Sequence, residues 1–234
     1  MTAELRLEDV GVTFGGVHAV DGVTVTFGKA RCAIVGPNGA GKTTLLNAIC
    51  GFASLSRGAV YLNGSELSGQ SVDSRTKLGL GRSFQHPTIV PSLTVRENLE
   101  VCAGRASRRE VDRVCDLLGA GAWLERPASA LPYGVRKLID VGRGLLNGSS
   151  WLVCDEPLSG LDGTARDEMI ATLGMIVQRG GVSLLVVEHD VARIAAFAEQ
   201  IVVLDFGRVL GDGEPNTVLK LPAVQAAYYG RVSE

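Results

Sequence analysis

The sequence lacks the features that would place it in several common protein classes. Its 23 basic and 25 acidic residues give a formal net charge of −2, so no basic excess indicates a nucleic-acid partner. Its longest apolar runs, such as residues 183–187, have the length of a strand and fall far short of the ~18 residues that a membrane helix needs. The opening segment MTAELRLEDV carries acidic residues early and contains no apolar stretch, unlike a secretory signal peptide.

Cysteine occurs in no pattern that binds metal or forms disulfides. The five cysteines lie at positions 32, 50, 102, 115 and 154. They are odd in number and scattered, and no Cys-x-x-Cys pair is present, so neither a disulfide framework nor a zinc site is indicated. Because free cysteine is among the most buried residue types, we expect five buried thiols in a reducing cytoplasm.

The chain alternates between strand-like and helix-like segments. Residues 1 to about 85 contain β-type runs and Gly-rich turns, whereas residues from about 90 to 148 are mainly helical. Within 107–118, one apolar face is expected at Val111, Val114, Cys115 and Leu118. Strands such as WLVCD then alternate with predicted helices at about 163–179 and 191–198, and the tail from 216 to 230 resembles a helical cap. This alternation predicts an α/β fold with a largely parallel sheet.

The most specific motif is GPNGAGKTT at residues 36–44. It fits the G-x-x-x-x-G-K-[ST] pattern, follows an apolar strand-like run and precedes a helical run, as this phosphate-binding motif requires. Glycines let backbone N–H groups turn toward an anion, and the helix N-terminus adds partial positive charge. We expect Lys42 to neutralise the β- and γ-phosphates and the Thr43 hydroxyl to ligate Mg2+. The candidate nucleotide-binding residues are Gly36, Pro37, Asn38, Gly39, Ala40, Gly41, Lys42, Thr43 and Thr44.

Two carboxylates follow the apolar run at residues 151–154. Ligand sites of open parallel sheets lie at the carboxyl ends of strands. We expect Asp155 to hold Mg2+ through water and Glu156 to polarise the attacking water as a general base. Acidic residues often cap strands without further function, so this interpretation depends on the phosphate loop upstream.

His189 follows the strand-like run SLLVV within Glu188-His189-Asp190. A neutral imidazole at that sheet edge can hydrogen-bond the γ-phosphate or the attacking water, and so respond to the state of the nucleotide. The alternative is a polar residue that merely ends a strand.

In this order, the three motifs resemble those of the ABC ATPase family over nearly the whole chain. The resemblance implies that Gln85, in GRSFQHP, is the Q-loop glutamine, which reaches Mg2+ and water and lies against the membrane subunit. Asp162, in SGLD, resembles the D-loop aspartate that faces the opposite subunit, and His189 matches the switch histidine. Phe14 lies where the family keeps an aromatic that stacks on adenine. The alternative for Phe14 is an ordinary aromatic residue in the core.

The resemblance also implies the fold, the cofactors and the division of the chain. We expect a P-loop NTPase fold of the ABC ATPase type, with ATP and Mg2+ bound. Residues 1–88 and 149–234 are expected to form a RecA-like core with a mostly parallel sheet and an N-terminal antiparallel β region. Residues from about 89 to 148 are expected to form a helical sub-domain.

The segment that matches the family's signature motif departs from the usual LSGGQ. It reads Leu131, Pro132, Tyr133, Gly134 and Val135. The family's serine and glutamine donate hydrogen bonds to the nucleotide of the other subunit, whereas Pro132 has no hydroxyl and Val135 has no amide. Gly134 remains, together with a helix N-terminus that can face a phosphate in trans. An LxYG form also resembles the signature of some importer ATPases.

Two segments narrow the resemblance to one transport class. GLGRSFQHPTIVPSLTVRENLEV and LPAVQAAYYG are similar to segments of the ATPase subunits of branched-chain amino-acid importers and of their relatives for amides and urea. This implies a partner ATPase subunit, identical or different, which completes two composite sites. It also implies permease subunits in the membrane, a solute-binding protein as an indirect partner, and a location on the cytoplasmic face of the membrane.

Two other functions share the same catalytic residues. A non-transport ABC ATPase, such as one serving iron–sulfur assembly, would differ in its partners around residues 85–91. An ATP-binding regulatory subunit with weak hydrolysis is the other possibility, and Val135 is the feature that favours it.

Overall fold

The computed structural model describes residues 3–103 and 108–229 of the chain. The strands are β1 (Leu5–Phe14), β2 (Val17–Phe27), β3 (Arg31–Val35), β4 (Arg57–Leu62), β5 (Ser65–Glu66), β6 (Leu80–Ser83), β7 (Trp151–Asp155), β8 (Ser183–Val187), β9 (Gln200–Asp205) and β10 (Arg208–Gly213). The helices are α1 (Lys42–Cys50), α2 (Val72–Lys77), α3 (Val95–Ala103), α4 (Arg108–Leu118), α5 (Tyr133–Leu145), α6 (Gly163–Gly180), α7 (Val191–Phe197), α8 (Pro215–Val218) and α9 (Pro222–Tyr229). The chain divides into two compact units, with residues 1–75 and 185–234 in the first and 76–184 in the second.

The first unit begins with an antiparallel sheet in the order β2-β1-β4-β5. Strand β1 pairs with β2, with Leu5 opposite Phe27 and Leu7 opposite Val25. These four side chains are buried, and polar residues alternate with them along β1. The period of two in the sequence therefore places one apolar face of the sheet in the core. The predicted N-terminal antiparallel β region is confirmed.

The first unit also contains strands in the order β10-β9-β3-β8, and residues 185–187 are the part of β8 that belongs to it. Strands β3 and β9 pair in parallel, with Ile34 opposite Val202, whereas β10 pairs antiparallel with β9. All five residues of β8 are buried, as are residues 201–204 of β9. Continuous apolar runs of this kind are typical of parallel strands covered on both faces. The predicted α/β fold with a mostly parallel core sheet is confirmed.

The second unit combines a parallel strand pair with most of the long helices. Strands β6 and β7 pair in parallel, with Gly81 opposite Leu152. The apolar face predicted on α4 is buried at all four positions named above; residue 107, where that prediction began, lies outside the described residues. In the first unit, helices α8 and α9 form the predicted C-terminal cap; residue 230, at the end of that prediction, lies outside the described range. The division of the chain at about residues 89 and 148 stays a prediction.

One expectation about the cysteines is wrong. Four of the five thiols are buried, but Cys102 on α3 is partly exposed. Its Sγ accepts a hydrogen bond of 2.8 Å from Arg143 Nε on α5. Cys102 therefore stays partly exposed because its sulfur accepts a hydrogen bond from a guanidinium, whereas a buried thiol was expected.

Among the described residues, no helix is both long and apolar enough to cross a membrane.

The β9–β10 hairpin contains an unusual residue at its turn. Phe206 and Gly207 link Asp205 to its partner Arg208 and have φ angles of +43° and +76°. Two positive φ angles define a type I′ turn, for which Asn-Gly is the preferred sequence. Phe206 is 85% exposed, so little packing offsets the cost of its left-handed backbone.

Replacing Phe206 with asparagine is therefore expected to stabilise the protein. We expect the free energy of unfolding to rise by about 0.5–1 kcal/mol, because asparagine tolerates the left-handed region better than other non-glycine residues. Urea unfolding followed by circular dichroism measures the change. Phe206→Ala is the matched control, since it removes the same ring and keeps the backbone strain. Equal stability of the two variants would contradict the role of the backbone.

Candidate functional site

The phosphate loop connects β3 to α1 and passes close to other parts of the backbone. Gly36 and Gly41 have φ angles of +154° and +96°. A Cβ added at Gly36 would lie 2.2 Å from the carbonyl oxygen of Leu204, and one at Gly41 would lie 2.3 Å from that of Ala19. Both distances are shorter than van der Waals contact, so these positions admit only glycine. The loop therefore presents backbone groups rather than side chains at these two positions, as the motif predicts.

The loop leads directly into the N-terminus of a helix. Helix α1 begins at Lys42 after the left-handed N-cap Gly41, and its first turn contains no acidic residue. The N–H groups of a first turn have no acceptor within their own helix, and they attract anions together with the helix dipole. The loop itself is fixed by hydrogen bonds from Ala40 N to Pro37 O, 3.2 Å, and from Gly207 N to Ala40 O, 3.0 Å. These features fit a bound phosphate chain.

Lys42 lies across the same loop. Its Nζ donates to the carbonyl oxygens of Gly36, at 2.7 Å, and Pro37, at 2.9 Å, and the residue is only 7% exposed. A buried ammonium held against carbonyl oxygens is a fixed positive charge beside the N-terminus of α1. Thr43, the expected Mg2+ ligand, is exposed in that first turn.

The first unit also contains His189 and Phe14. The His189 side chain is half-exposed at the end of β8, whereas the neighbouring Glu188 is fully buried. A Glu188 carboxylate oxygen accepts a hydrogen bond of 3.2 Å from the backbone N–H of His189 and lies 3.7 Å from the ring Nδ1. The sequence motif points to His189, but it does not point to the buried carboxylate beside it. Phe14 is 56% exposed at the end of β1, so the alternative of a core aromatic does not hold.

In the second unit, Asp155 is a buried carboxylate at the end of β7. Its Oδ2 accepts a hydrogen bond of 3.2 Å from Arg82 Nη2 on β6. Burial raises the pKa of Asp155, and the positive charge of Arg82 opposes that effect. A divalent cation would favour the ionised form further. The oxygen donor and its burial therefore suit a site for Mg2+, a hard cation that prefers oxygen ligands.

Glu156 and Gln85 are brought together. Gln85 Nε2 donates a hydrogen bond of 2.8 Å to Glu156 Oε2. The backbone of Glu156 is left-handed, with a φ of +46°. Its carbonyl oxygen accepts a bond of 2.7 Å from Nζ of Lys137, which is buried on α5. Strained backbone that is held by its surroundings often occurs at functional positions, so the turn after β7 is the best candidate for the reacting centre of this unit.

The signature segment lies next to the segment SGLD. Pro132 caps α5 without a side-chain hydrogen bond, and Tyr133 packs so closely that a Cβ at Gly160 would lie 3.1 Å from its ring. A pocket of about 350 Å3 lies between the start of α5 and the start of α6, with Gly134, Val135 and Asp162 in its lining. Asp162 Oδ1 accepts a hydrogen bond of 2.9 Å from Ala165 N and so caps α6. This capping bond gives Asp162 a structural role within its own chain.

The candidate residues therefore fall into two groups. Lys42, Thr43, His189 and Phe14 belong to the first unit, and Gln85, Gly134, Asp155, Glu156 and Asp162 to the second. Three other residues, Arg82 on β6 and Lys137 and Asp140 on α5, also bond to segments that contain candidate residues. No local motif marks these three residues, because their partners are distant in the sequence.

Comparison with known sequences supports the family assignment that the motifs indicate. Residues 20–159 match the model of the ABC transporter family. The chain is 31% identical, over 97% of both chains, to the high-affinity branched-chain amino acid transport ATP-binding protein BraF of Pseudomonas aeruginosa. It is 27% identical, over 97% of its length and 95% of the relative, to the probable branched-chain amino acid transport ATP-binding protein LivG of Archaeoglobus fulgidus.

Solved structures agree with the sequence comparison. The ADP conformation of MJ1267, an ATP-binding cassette of an ABC transporter, superimposes with a TM-score of 0.88, 27% identity and coverage of 99% of this chain and 100% of that one. The dimeric bacterial ABC transporter cassette MJ0796 superimposes with a TM-score of 0.78 and 25% identity, over 90% and 98% of the two chains.

Proposed function

The chain belongs to the ABC transporter family, and on that premise we propose that it is the ATP-hydrolysing subunit of an importer for branched-chain or other hydrophobic amino acids. As a member of this family it is an ATPase. The observation that carries the ATP-binding part of this proposal is the phosphate loop, whose Gly36 and Gly41 leave no room for a side chain. A loop built in this way holds phosphates through its backbone N–H groups.

The residue roles follow from the chemistry of phosphoryl transfer. Lys42 and the N–H groups of Gly39 and residues 41–44 bind the phosphates, and Phe14 offers an exposed ring to the adenine. When bound, Mg2+ neutralises charge on the phosphates; Thr43 and Gln85 would ligate it directly and Asp155 through water. Pro37, Asn38 and Ala40 complete the loop around the nucleotide.

Hydrolysis needs a base and a means of orienting water. We assign the base to Glu156, whose carboxylate removes the proton from the attacking water. Gln85 orients that carboxylate through the hydrogen bond described above. His189 acts at the γ-phosphate, with the buried carboxylate of Glu188 3.7 Å from its ring Nδ1. The products are ADP and inorganic phosphate.

The catalytic cycle requires a second cassette. We propose that the chain pairs with another ABC ATPase subunit, either an identical copy or a different one. Gly134 and the N-terminus of α5 would face the nucleotide of the partner, and Asp162 would lie at the same interface. ATP favours the closed pair because its γ-phosphate adds contacts that ADP lacks. The relative MJ0796 forms a dimer, which supports this arrangement.

The transport class is supported by the relatives. BraF and LivG are named as branched-chain amino acid transport proteins, and BraF matches along almost the whole chain. We propose permease subunits as direct partners of residues 85–90, a solute-binding protein as an indirect partner, and a location on the cytoplasmic face of the membrane.

Uptake in the native host tests the transport class. A tagged chain is expected to co-purify from detergent-solubilised membranes with integral membrane subunits. Replacing the gene with its Lys42→Ala form should abolish ATP-dependent uptake of radiolabelled leucine, whereas the Lys29→Ala control should preserve it. The transport role would be refuted if the tagged chain co-purified only with soluble assembly proteins and Lys42→Ala left leucine uptake unchanged. ATP hydrolysis by the chain would not be contradicted by that result.

A further inference from the structure

A buried carboxylate on α5 holds both ends of the segment that contains Gln85. Asp140 is 3% exposed. Its Oδ2 accepts a hydrogen bond of 2.7 Å from Phe84 N, and its Oδ1 accepts bonds of 3.0 Å and 2.9 Å from the N–H and hydroxyl of Thr88. Gln85 lies between these two attachment points, so a single side chain closes a short loop around it.

Arg143, one turn further along α5, supports this arrangement. Its Nη1 donates to Thr88 Oγ1 at 2.9 Å and lies 3.5 Å from Asp140 Oδ1, while its Nε donates to Cys102 Sγ at 2.8 Å. The buried carboxylate is thus compensated by a cation and by several donors, as burial of a charge requires.

The same helix also holds the residue that Gln85 contacts. Lys137 lies one turn before Asp140, and its Nζ donates to the carbonyl oxygens of Glu156, at 2.7 Å, and Pro157, at 3.3 Å. The bond from Gln85 to Glu156 therefore joins two segments that are each attached to α5. Movement of either segment along α5 would therefore disturb that bond.

We propose that Asp140 is a positioning residue for ATP hydrolysis, which fixes the Phe84–Thr88 segment so that Gln85 reaches the carboxylate of Glu156. This inference rests on the proposed roles of Gln85 and Glu156. A displacement of about 1 Å at a reacting centre can reduce the rate roughly 100-fold, so a residue that touches no nucleotide can still control turnover.

Asp140→Asn tests the inference with little change in shape. The amide has one acceptor oxygen in place of two, so it can satisfy only one end of the segment. We expect kcat to fall by roughly tenfold or more, with KM for ATP unchanged within about twofold, because the phosphate loop is untouched. Steady-state phosphate release by the assembled transporter measures both constants.

A double-mutant cycle separates positioning from simple stabilisation. If Asp140 acts through Gln85, Asp140→Asn should cause no further loss of kcat in a Gln85→Ala background. A purely structural role predicts the same relative loss in both backgrounds. Ser149→Ala is the control at the other end of α5, where it removes a 2.7 Å bond to Gly144 O, and it should leave kcat unchanged.

Milder variants protect the test against misfolding. Thr88→Val removes the hydroxyl bonds and keeps the backbone N–H, and it should give a smaller fall in kcat that Thr88→Ser reverses. If Gln85→Ala leaves turnover unchanged, the proposed role of Gln85 fails. Two results would refute the positioning role of Asp140 while the role of Gln85 remains. In both, Gln85→Ala lowers kcat; in the first, Asp140→Asn alone leaves kcat unchanged, and in the second, Asp140→Asn lowers kcat by the same factor with and without Gln85→Ala.

Discussion

Glu156→Gln is expected to reduce ATP turnover by roughly 100-fold or more and to leave ATP binding intact, because general-base catalysis contributes about 10²–10⁴ in rate. Glutamine has nearly the same shape as glutamate but cannot accept a proton from water. Its side-chain oxygen can still accept the hydrogen bond from Gln85 Nε2. The variant should therefore accumulate with ATP bound in the closed dimer.

Two measurements check this expectation. Phosphate release gives the turnover, and gel filtration with ATP and Mg2+ shows whether the dimer persists. Glu100→Gln, an exposed glutamate on α3, is the matched control and should behave as the unmodified chain. Undiminished phosphate release by Glu156→Gln would remove Glu156 from the role of base.

Lys42→Ala is expected to weaken ATP binding and to abolish hydrolysis. Hydrogen bonds to charged groups contribute about 1.5–3 kcal/mol each, so loss of one or two from the ammonium corresponds to roughly 10-fold or greater weakening of ATP binding. Hydrolysis should fall further, by roughly 100-fold or more, because the ammonium also stabilises charge that develops during the reaction.

Equilibrium binding of a fluorescent ATP analogue measures the affinity. Lys29→Ala, a change of an exposed lysine in the same unit, is the control for loss of charge. Because Lys42 Nζ also bonds to Gly36 O and Pro37 O, thermal unfolding should be compared to confirm that the variant folds. Normal ATP affinity in a folded Lys42→Ala variant would rule out the phosphate role.

Local patterns in the sequence predicted the strands and helices that flank the motifs. The run before Gly36 is a strand and the run from Lys42 is a helix, because apolar periodicity and glycine spacing act over a few residues. The same is true of β7 before Asp155 and β8 before Glu188.

The residues that hold these motifs in place could not be found in this way. Arg82 bonds to Asp155 across 73 positions of sequence, and Asp140 bonds to Phe84 across 56. Such pairs depend on the tertiary fold, and a single sequence contains no signal for them. The partial exposure of Cys102 was missed for the same reason, since its partner Arg143 is 41 positions away.

The left-handed backbone at Glu156 has a consequence for protein engineering. Its φ of +46° lies where glycine or asparagine is more comfortable than glutamate. A search for thermostable variants guided by backbone preference alone would thus select against glutamate at this position. With Glu156 as the proposed general base, such a selection would trade catalytic activity for stability, so a search for stabilised variants should leave this position unchanged.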